Sequence, residues 1–233
     1  MTSTNRTLVI MAKAPRVGSV KTRLTANLSP ERATELYVCL LNDTLALAQR
    51  LRDVKVAIMC PESDAEDLSH AIERPVPIVA QKGRGLAAGL TSVFAHFTDS
   101  GRERVIAFNS DSPHLPETVL QHAFSVLESR DVVVGPTHDG GYYLVGAKAS
   151  HPALFEDDGM GTTCALEALK ARIGKLQLSA GFTEHFYDVD VFSELNRLAA
   201  ELHLAPAKAP RTAAWLQQWS RAASHLGTSA GSP

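Results

Sequence analysis

The chain has 233 residues, 45% of them hydrophobic and 21% charged, with a net charge of -2 at pH 7. That length and apolar content suit one sizeable domain with a buried core and exclude a chain disordered throughout. The even charge balance leaves no overall basic field, which argues against nucleic acid as the main partner.

The first apolar run, Leu8-Val9-Ile10-Met11, reads as a strand. It empties into Lys13-Ala14-Pro15-Arg16-Val17-Gly18-Ser19-Val20-Lys21-Thr22-Arg23, whose cations, glycine, hydroxyls and backbone N–H groups suit a phosphate. A solvated basic turn is the plainer alternative. Ser29-Pro30-Glu31 reads as an N-cap with proline at the first helical position, opening an amphipathic helix through Leu36, Leu40, Leu41, Leu47 and Leu51.

Apolar runs recur at 54–59, 76–80, 105–108, 132–134 and 142–145, with helical patterns at 65–72, 86–97 and 117–127 between several of them. The alternation predicts an α/β fold with a doubly wound, mostly parallel sheet flanked by helices. Ligands of such sheets bind beyond the carboxyl ends of the strands, and the stretches 13–23, 81–89 and 109–113 all follow strands.

Further helices are predicted at 163–172 and 191–202. The expected organisation is one nucleotide-binding domain over 1–205, a helical extension over 206–226 and a disordered tail at 227–233. Trp215 and Trp219 serve either to pack that extension on the sheet or to form a homodimer contact. Cys39, Cys60 and Cys164 lie far apart with no C-x-x-C spacing, which speaks against a zinc site or a disulfide framework and for a reducing cytoplasm. The apolar stretch before Lys13 is too short for a signal-peptide core or a membrane span, so a soluble protein is expected.

Asp111, in Asn109-Ser110-Asp111-Ser112-Pro113, puts a carboxylate at the strand ends, where Mg2+ bridging phosphate oxygens needs a hard oxygen ligand; capping the next helix is its rival use. Asp188 and Asp190 alternate with Val189 and so share one face of an extended segment, although Asp190 could equally cap a helix starting at Val191. Asp139-Gly140-Gly141-Tyr142 allows a close backbone approach beside a ligand, or an ordinary hairpin turn. Gln81, Gly85 and Leu86 open a helix and could face a base or a sugar.

Lys21-Thr22 is not the end of a P-loop, because Pro15 and Val20 occupy the positions that glycine must fill. The spacing of Gly83, Gly85 and Gly89 also differs from the dinucleotide fingerprint. No paired histidines at helical spacing and no G-x-S-x-G elbow support a hydrolase.

Met11-Ala12-Lys13-Ala14-Pro15, Val20-Lys21-Thr22-Arg23-Leu24, Ser110-Asp111-Ser112-Pro113 and Asp139 through Gly146 together resemble a bacterial family of GT-A-fold transferases, often labelled glycosyltransferases of arsenosugar biosynthesis. Val20–Leu24 and Leu28–Arg32 are also similar to the 2-phospho-lactate guanylyltransferases. The chain departs from these patterns at Gly85, Ala87 and Gly89, at Asn109, where glycine is usual, and at Val191, where related nucleotidyltransferases have threonine.

The resemblance implies a GT-A-like nucleotidyltransferase using Mg2+ (or Mn2+), a nucleoside triphosphate and a small phosphorylated acceptor. Lys21, Arg23 and Asp111 are then the catalytic candidates, with Asp111, Asp188 and Asp190 as metal ligands. Ala12, Lys13, Arg16, Gly18, Thr22, Gln81, Gly85 and Leu86 would contact the nucleotide. Ser112, Asp139, Gly140, Gly141 and Tyr142 would shape the acceptor side. Glycosyl transfer from a nucleotide sugar is the second reading, and a non-catalytic nucleotide-binding domain the third.

Overall fold

The first strand, β1 (Arg6–Met11), lies in the interior of the sheet and has Leu8, Val9 and Ile10 fully buried, as an apolar run must be when helices cover both faces of a sheet. The computed structural model describes residues 5–98, 103–156 and 164–227, with side chains through Arg221. Thr163, the expected start of one helix, and the expected tail beyond Gly227 lie outside the described residues. Strands β2 (Lys55–Cys60), β3 (Ile78–Ala80), β4 (Arg104–Asn109), β5 (Val132–Pro136), β6 (Tyr142–Ala147) and β7 (Ala180–Phe182) complete a seven-stranded sheet in the order β3-β2-β1-β4-β6-β5-β7.

The sheet is mostly parallel, as expected, and β6 alone runs against its neighbours β4 and β5. The connection from β5 to β6 is too short for a parallel crossover and closes as a hairpin. Asp139 accepts hydrogen bonds from the Gly141 N–H and the Thr137 hydroxyl, and Gly140 takes φ +89, a backbone that favours glycine. β3 and β7 depart most from the sequence pattern. β3 begins at Ile78 because Pro77 has no N–H to give to the ladder. β7 was not expected, since its three residues form no apolar run.

Seven α-helices are described: α1 (Pro30–Ala48), α2 (Ala65–Ala71), α3 (Gly85–Phe97), α4 (Glu117–Ser129), α5 (Ala165–Lys175), α6 (Phe192–Leu204) and α7 (Pro210–Gly227). Ser29 caps α1 as its sequence predicts, accepting from the Arg32 N–H, but the helix stops at Ala48, short of Leu51. Tyr37, Leu41 and Leu45 of α1 pack with α4 on one face of the sheet, while α3 and α5 cover the other. Leu36 and Leu40, on the outer side of α1, meet α6 and α7 in a third core that also takes in Leu24, Tyr187 and Val189. A helix buried on both sides explains the density of leucines in α1.

Trp215 and Trp219 stack at 6.1 Å within this third core, and Trp215 Nε1 donates to Glu35. They pack inside the chain, against α1 and α6 rather than on the sheet itself as expected. Cys39, Cys60 and Cys164 form no disulfide among the described residues. Among the described residues no helix is long and apolar enough to cross a membrane.

The start of α7 is fastened by Asp43 of α1, whose fully buried carboxylate accepts from Arg211 N, Arg211 Nη1, Thr212 N and Thr212 Oγ1 at 2.8–3.3 Å. Asp43→Ala leaves these donors unpaired and should cost about 3 kcal/mol in chemical denaturation. Glu73→Ala, which removes the exposed partner of Arg211, should cost about 0.5 kcal/mol.

Candidate active site

The strand order turns outward in both directions from the β1–β4 pair, so the loops after these two strands diverge and leave a crevice between them. A cavity of about 580 Å3 lies there, lined by residues after β1, β3 and β4, with Asp190 added from the segment before α6. The three stretches expected to share one rim do so.

At its floor Lys21 Nζ donates to Asp111 Oδ2 and, at 2.9 Å, to Asp190 Oδ1; Arg23 Nη1 lies 3.6 Å from Asp190 Oδ2. The Lys21 side chain is only 3% exposed. Burial alone would push its ammonium toward neutrality, but the charges of Asp111 and Asp190 outweigh it and hold the group above its ordinary value. Burial likewise pushes Asp190 upward, and Lys21 and Arg23 reverse the effect and hold it below the usual carboxylate range. Asp188 lacks such a partner; burial, then Asp111 and Asp190, raise it to about 7.

Both capping alternatives are decided by geometry. Asp190 does not cap α6, because Glu194 reaches back to accept from the Asp190 and Val191 N–H groups, leaving the Asp190 carboxylate to face Lys21. Asp111 does not cap α4, which starts six residues later behind Pro116. Asp190 lines the cavity, whereas Asp188 sits half-buried beside it.

The first loop holds its shape through partners that its sequence did not reveal. Asp64 is buried and accepts from the Ala14 N–H and from Arg16 Nη1, so Arg16 is tied down and does not line the cavity. The Tyr37 hydroxyl takes the Lys13 N–H at 3.1 Å and lies 3.3 Å from Ser110 Oγ, joining the loops after β1 and β4. A lone tyrosine among the leucines of α1 is the signal that could have found this, since a buried phenol needs a partner. The amides of Ala12, Lys13, Ala14, Arg16 and Ser19 already donate within the protein, so on this part of the loop side chains offer the positive charge.

Ala12, Lys13, Lys21, Thr22 and Arg23 line the cavity on one side, and Gln81, Gly85 and Leu86 on another. The Gln81 amide donates to the Gly83 and Gly85 carbonyls, bracing that loop, and Gly83 and Gly85 take φ +82 and +85. Gly18, Ser112, Asp139, Gly140, Gly141 and Tyr142 do not line the cavity. Ser112 is fully buried and accepts from Asn109 Nδ2; Asp139, Gly140 and Gly141 build the β5–β6 hairpin, and Tyr142 packs against the α3–α5 face. His114 was also missed: it is buried against the rings of Phe186 and Tyr187, and burial pushes it down to about 3, so it is neutral.

Asp111 Oδ1 is buried with no hydrogen-bond partner, a lone pair that a hard divalent cation would satisfy. An all-carboxylate set of Asp111, Asp188 and Asp190 suits Mg2+ or Mn2+ better than a thiophilic metal. Among the described residues, no three acidic, histidine or cysteine side chains are gathered as a ready-made metal centre, and Lys21 Nζ stands between two of the carboxylates. The donor types fit the ion; their present spacing is that of an ion pair with lysine.

Because folded Asp188 keeps its proton up to about pH 7 while the unfolded chain releases it in the ordinary carboxylate range, its stabilising effect is lost as pH rises between the two. Asp188→Asn should therefore raise the Tm of the metal-free protein by a few degrees at about pH 8 and leave it unchanged at about pH 4, read by thermal unfolding.

The chain is 26% identical over 136 residues to the phosphoenolpyruvate guanylyltransferase of Sphaerobacter thermophilus, covering 58% of this chain and 65% of that protein, just under two thirds of its length. A crystal structure from Desulfovibrio desulfuricans G20, whose nucleotide-diphospho-sugar transferase name is itself an inference, is 27% identical with a TM-score of 0.84, covering 92% of this chain and 95% of that one. The 4-diphosphocytidyl-2C-methyl-D-erythritol synthase of Anaerococcus prevotii DSM 20548 shares the fold at 10% identity and a TM-score of 0.57, covering 85% and 97%. These likenesses identify a GT-A-like, nucleotide-diphospho-sugar transferase fold. Residues 44–162, which hold β2 through β6 and Asp111, match a family profile, and the chain belongs to that family, described as uncharacterized protein conserved in bacteria (DUF2064).

Proposed function

We propose that this protein is a nucleotidyltransferase that moves a nucleoside monophosphate from a nucleoside triphosphate to a small phosphorylated metabolite, with Mg2+ or Mn2+ as cofactor. The observation that carries the reading is the buried Lys21 ammonium held by Asp111 and Asp190 at the β1–β4 crevice. A phosphate oxygen of the acceptor attacks the α-phosphorus in line, a new P–O bond forms, and the bond to the bridging oxygen breaks as pyrophosphate leaves. Two polyanions repel, so the site must neutralise them first, and Lys13, Lys21 and Arg23 bring that charge to one wall of the cavity. A divalent ion held by Asp111, Asp188 and Asp190 would add further neutralisation of the phosphates.

Leu86 is 46% exposed on the opposite wall, an apolar surface suited to a base, with Gln81 and Gly85 beside it. The similarity to a phosphoenolpyruvate guanylyltransferase makes GTP and small phosphorylated acids the first substrates to test. Free thiols suit a reducing cytoplasm. Glycosyl transfer is the second reading, supported by the relative from Desulfovibrio desulfuricans G20. It would use the same cavity, although Asn109-Ser110-Asp111 offers one acid where a metal-binding Asp-x-Asp has two.

Incubation with each nucleoside triphosphate, phosphorylated carboxylic acids and Mg2+ should release pyrophosphate and form an acceptor–nucleotide adduct, read by mass spectrometry. Lys21→Ala and Asp111→Asn should each lower kcat/KM by about a thousandfold. Unchanged turnover in both variants overturns the assignment of roles. Release of a nucleoside diphosphate from a nucleotide sugar, with no pyrophosphate from any triphosphate, overturns nucleotidyl transfer.

A further inference from the structure

We propose that Lys21 is the resident counter-ion of the metal site: its ammonium and the divalent cation compete for the same carboxylate oxygens, so the metal enters only with a nucleotide whose phosphates draw Lys21 away. The proposal rests on the reading of this crevice as a metal and nucleotide site, and adds the order in which its charges exchange.

The protein's own cations already face the carboxylates. Lys21 Nζ is bonded to Asp111 Oδ2 and Asp190 Oδ1, and Arg23 Nη1 flanks Asp190 Oδ2 at 3.6 Å. Asp111 Oδ1 stands buried without a partner, and the Asp188 carboxylate, half-buried nearby, is the other acid not paired with a cation. These are too few for an ion that seeks several anionic ligands, and an ion using Oδ2 or Asp190 would meet an ammonium within a few ångströms and largely screened from water.

The lysine is also placed to leave. It lines the cavity with Lys13 and Arg23, so its ammonium can turn from the carboxylates to phosphate oxygens in the adjoining space. Its backbone is held in the left-handed region, φ 49 and ψ 37, a conformation costly for a residue with a Cβ. Val20 and Leu24 on either side are buried and anchor the turn, so the movement is confined to the lysine. In the free protein two carboxylates face two cationic side chains; in the loaded one they face the dication, while Lys21 and Arg23 meet the phosphates.

The test is Mn2+ binding to the nucleotide-free protein, followed through the free-ion electron paramagnetic resonance signal, with thermal unfolding as a check on folding. Lys21→Met should bind Mn2+ about tenfold more tightly than wild type, and Lys21→Arg, which keeps a cation between the carboxylates, should bind about as wild type. Equal or weaker binding by Lys21→Met overturns the proposal. Should that variant fail to fold, wild-type protein labelled at lysine 15Nζ decides the matter. The shielded ammonium signal of Lys21 should stay in place with saturating Mg2+ alone and move when GTP is added with Mg2+; movement with Mg2+ alone overturns it. Tighter Mn2+ binding in Lys21→Met beside a wild type that turns over no triphosphate keeps the competition and overturns nucleotidyl transfer, so the two readings fail separately.

Discussion

An ammonium removed from water must be compensated by anions, and Lys21 finds them 90 and 169 residues away along the chain, in Asp111 and Asp190. This pairing requires three distant segments to arrive at one point: the loop after β1, the loop after β4 and the extended stretch before α6. Each is fastened separately. Asp64 and the Tyr37 hydroxyl hold the first, Ser110 and the Asn109–Ser112 bond hold the second, and Glu194 with the third core holds the last. Removing any one fastening would leave buried charge without its partner.

The third core gives the C-terminal helices their part in the site. Val189 is buried among Leu24, Leu36 and Leu198, so the two residues flanking it, Asp188 and Asp190, turn the other way, toward Asp111 and Lys21. Arg197 of α6 lies 3.9 Å above the Tyr187 ring, and the His114 ring meets the same ring at 4.3 Å, tilted by 47°, joining this arm to the loop that carries Asp111. Asp43 secures α7, and α7 in turn closes the core. Apolar packing far from the crevice therefore sets the spacing of charges within it.

The reversed strand β6 has a related consequence. Its hairpin sits at the same end of the sheet as the crevice, but its polar groups are engaged with each other and with α5, where the Leu166 N–H bonds the Gly140 carbonyl. Tyr143, one residue into the strand, bonds Thr183 and the Glu184 carbonyl and so braces the chain leading toward Asp188. Residues that resemble an acceptor-binding motif thus lie in the hairpin against α5, outside the lining of the cavity.

Periodicity and capping chemistry were enough to place six of the seven strands, the α-helices, the mostly parallel sheet and the rim where ligands approach, because these depend on neighbours close in sequence: Ser29 and Pro30 begin α1, and Pro77 delays β3. The cations of the first loop and the acids Asp111, Asp188 and Asp190 were legible as residue types suited to phosphate and metal. Their partners were not. Arg16 and Lys21 look alike on the page, five residues apart in one basic loop, yet Arg16 pairs with Asp64 outside the cavity while Lys21 is drawn into its floor. Asp190 could have capped a helix, but Val191 holds the N-cap position and the Asp190 carboxylate is turned to Lys21. Composition and spacing carry what a residue can do; which of several oppositely charged or hydrogen-bonding groups it meets depends on contacts between segments 48 to 169 residues apart, which exist only once the sheet and the three cores have closed.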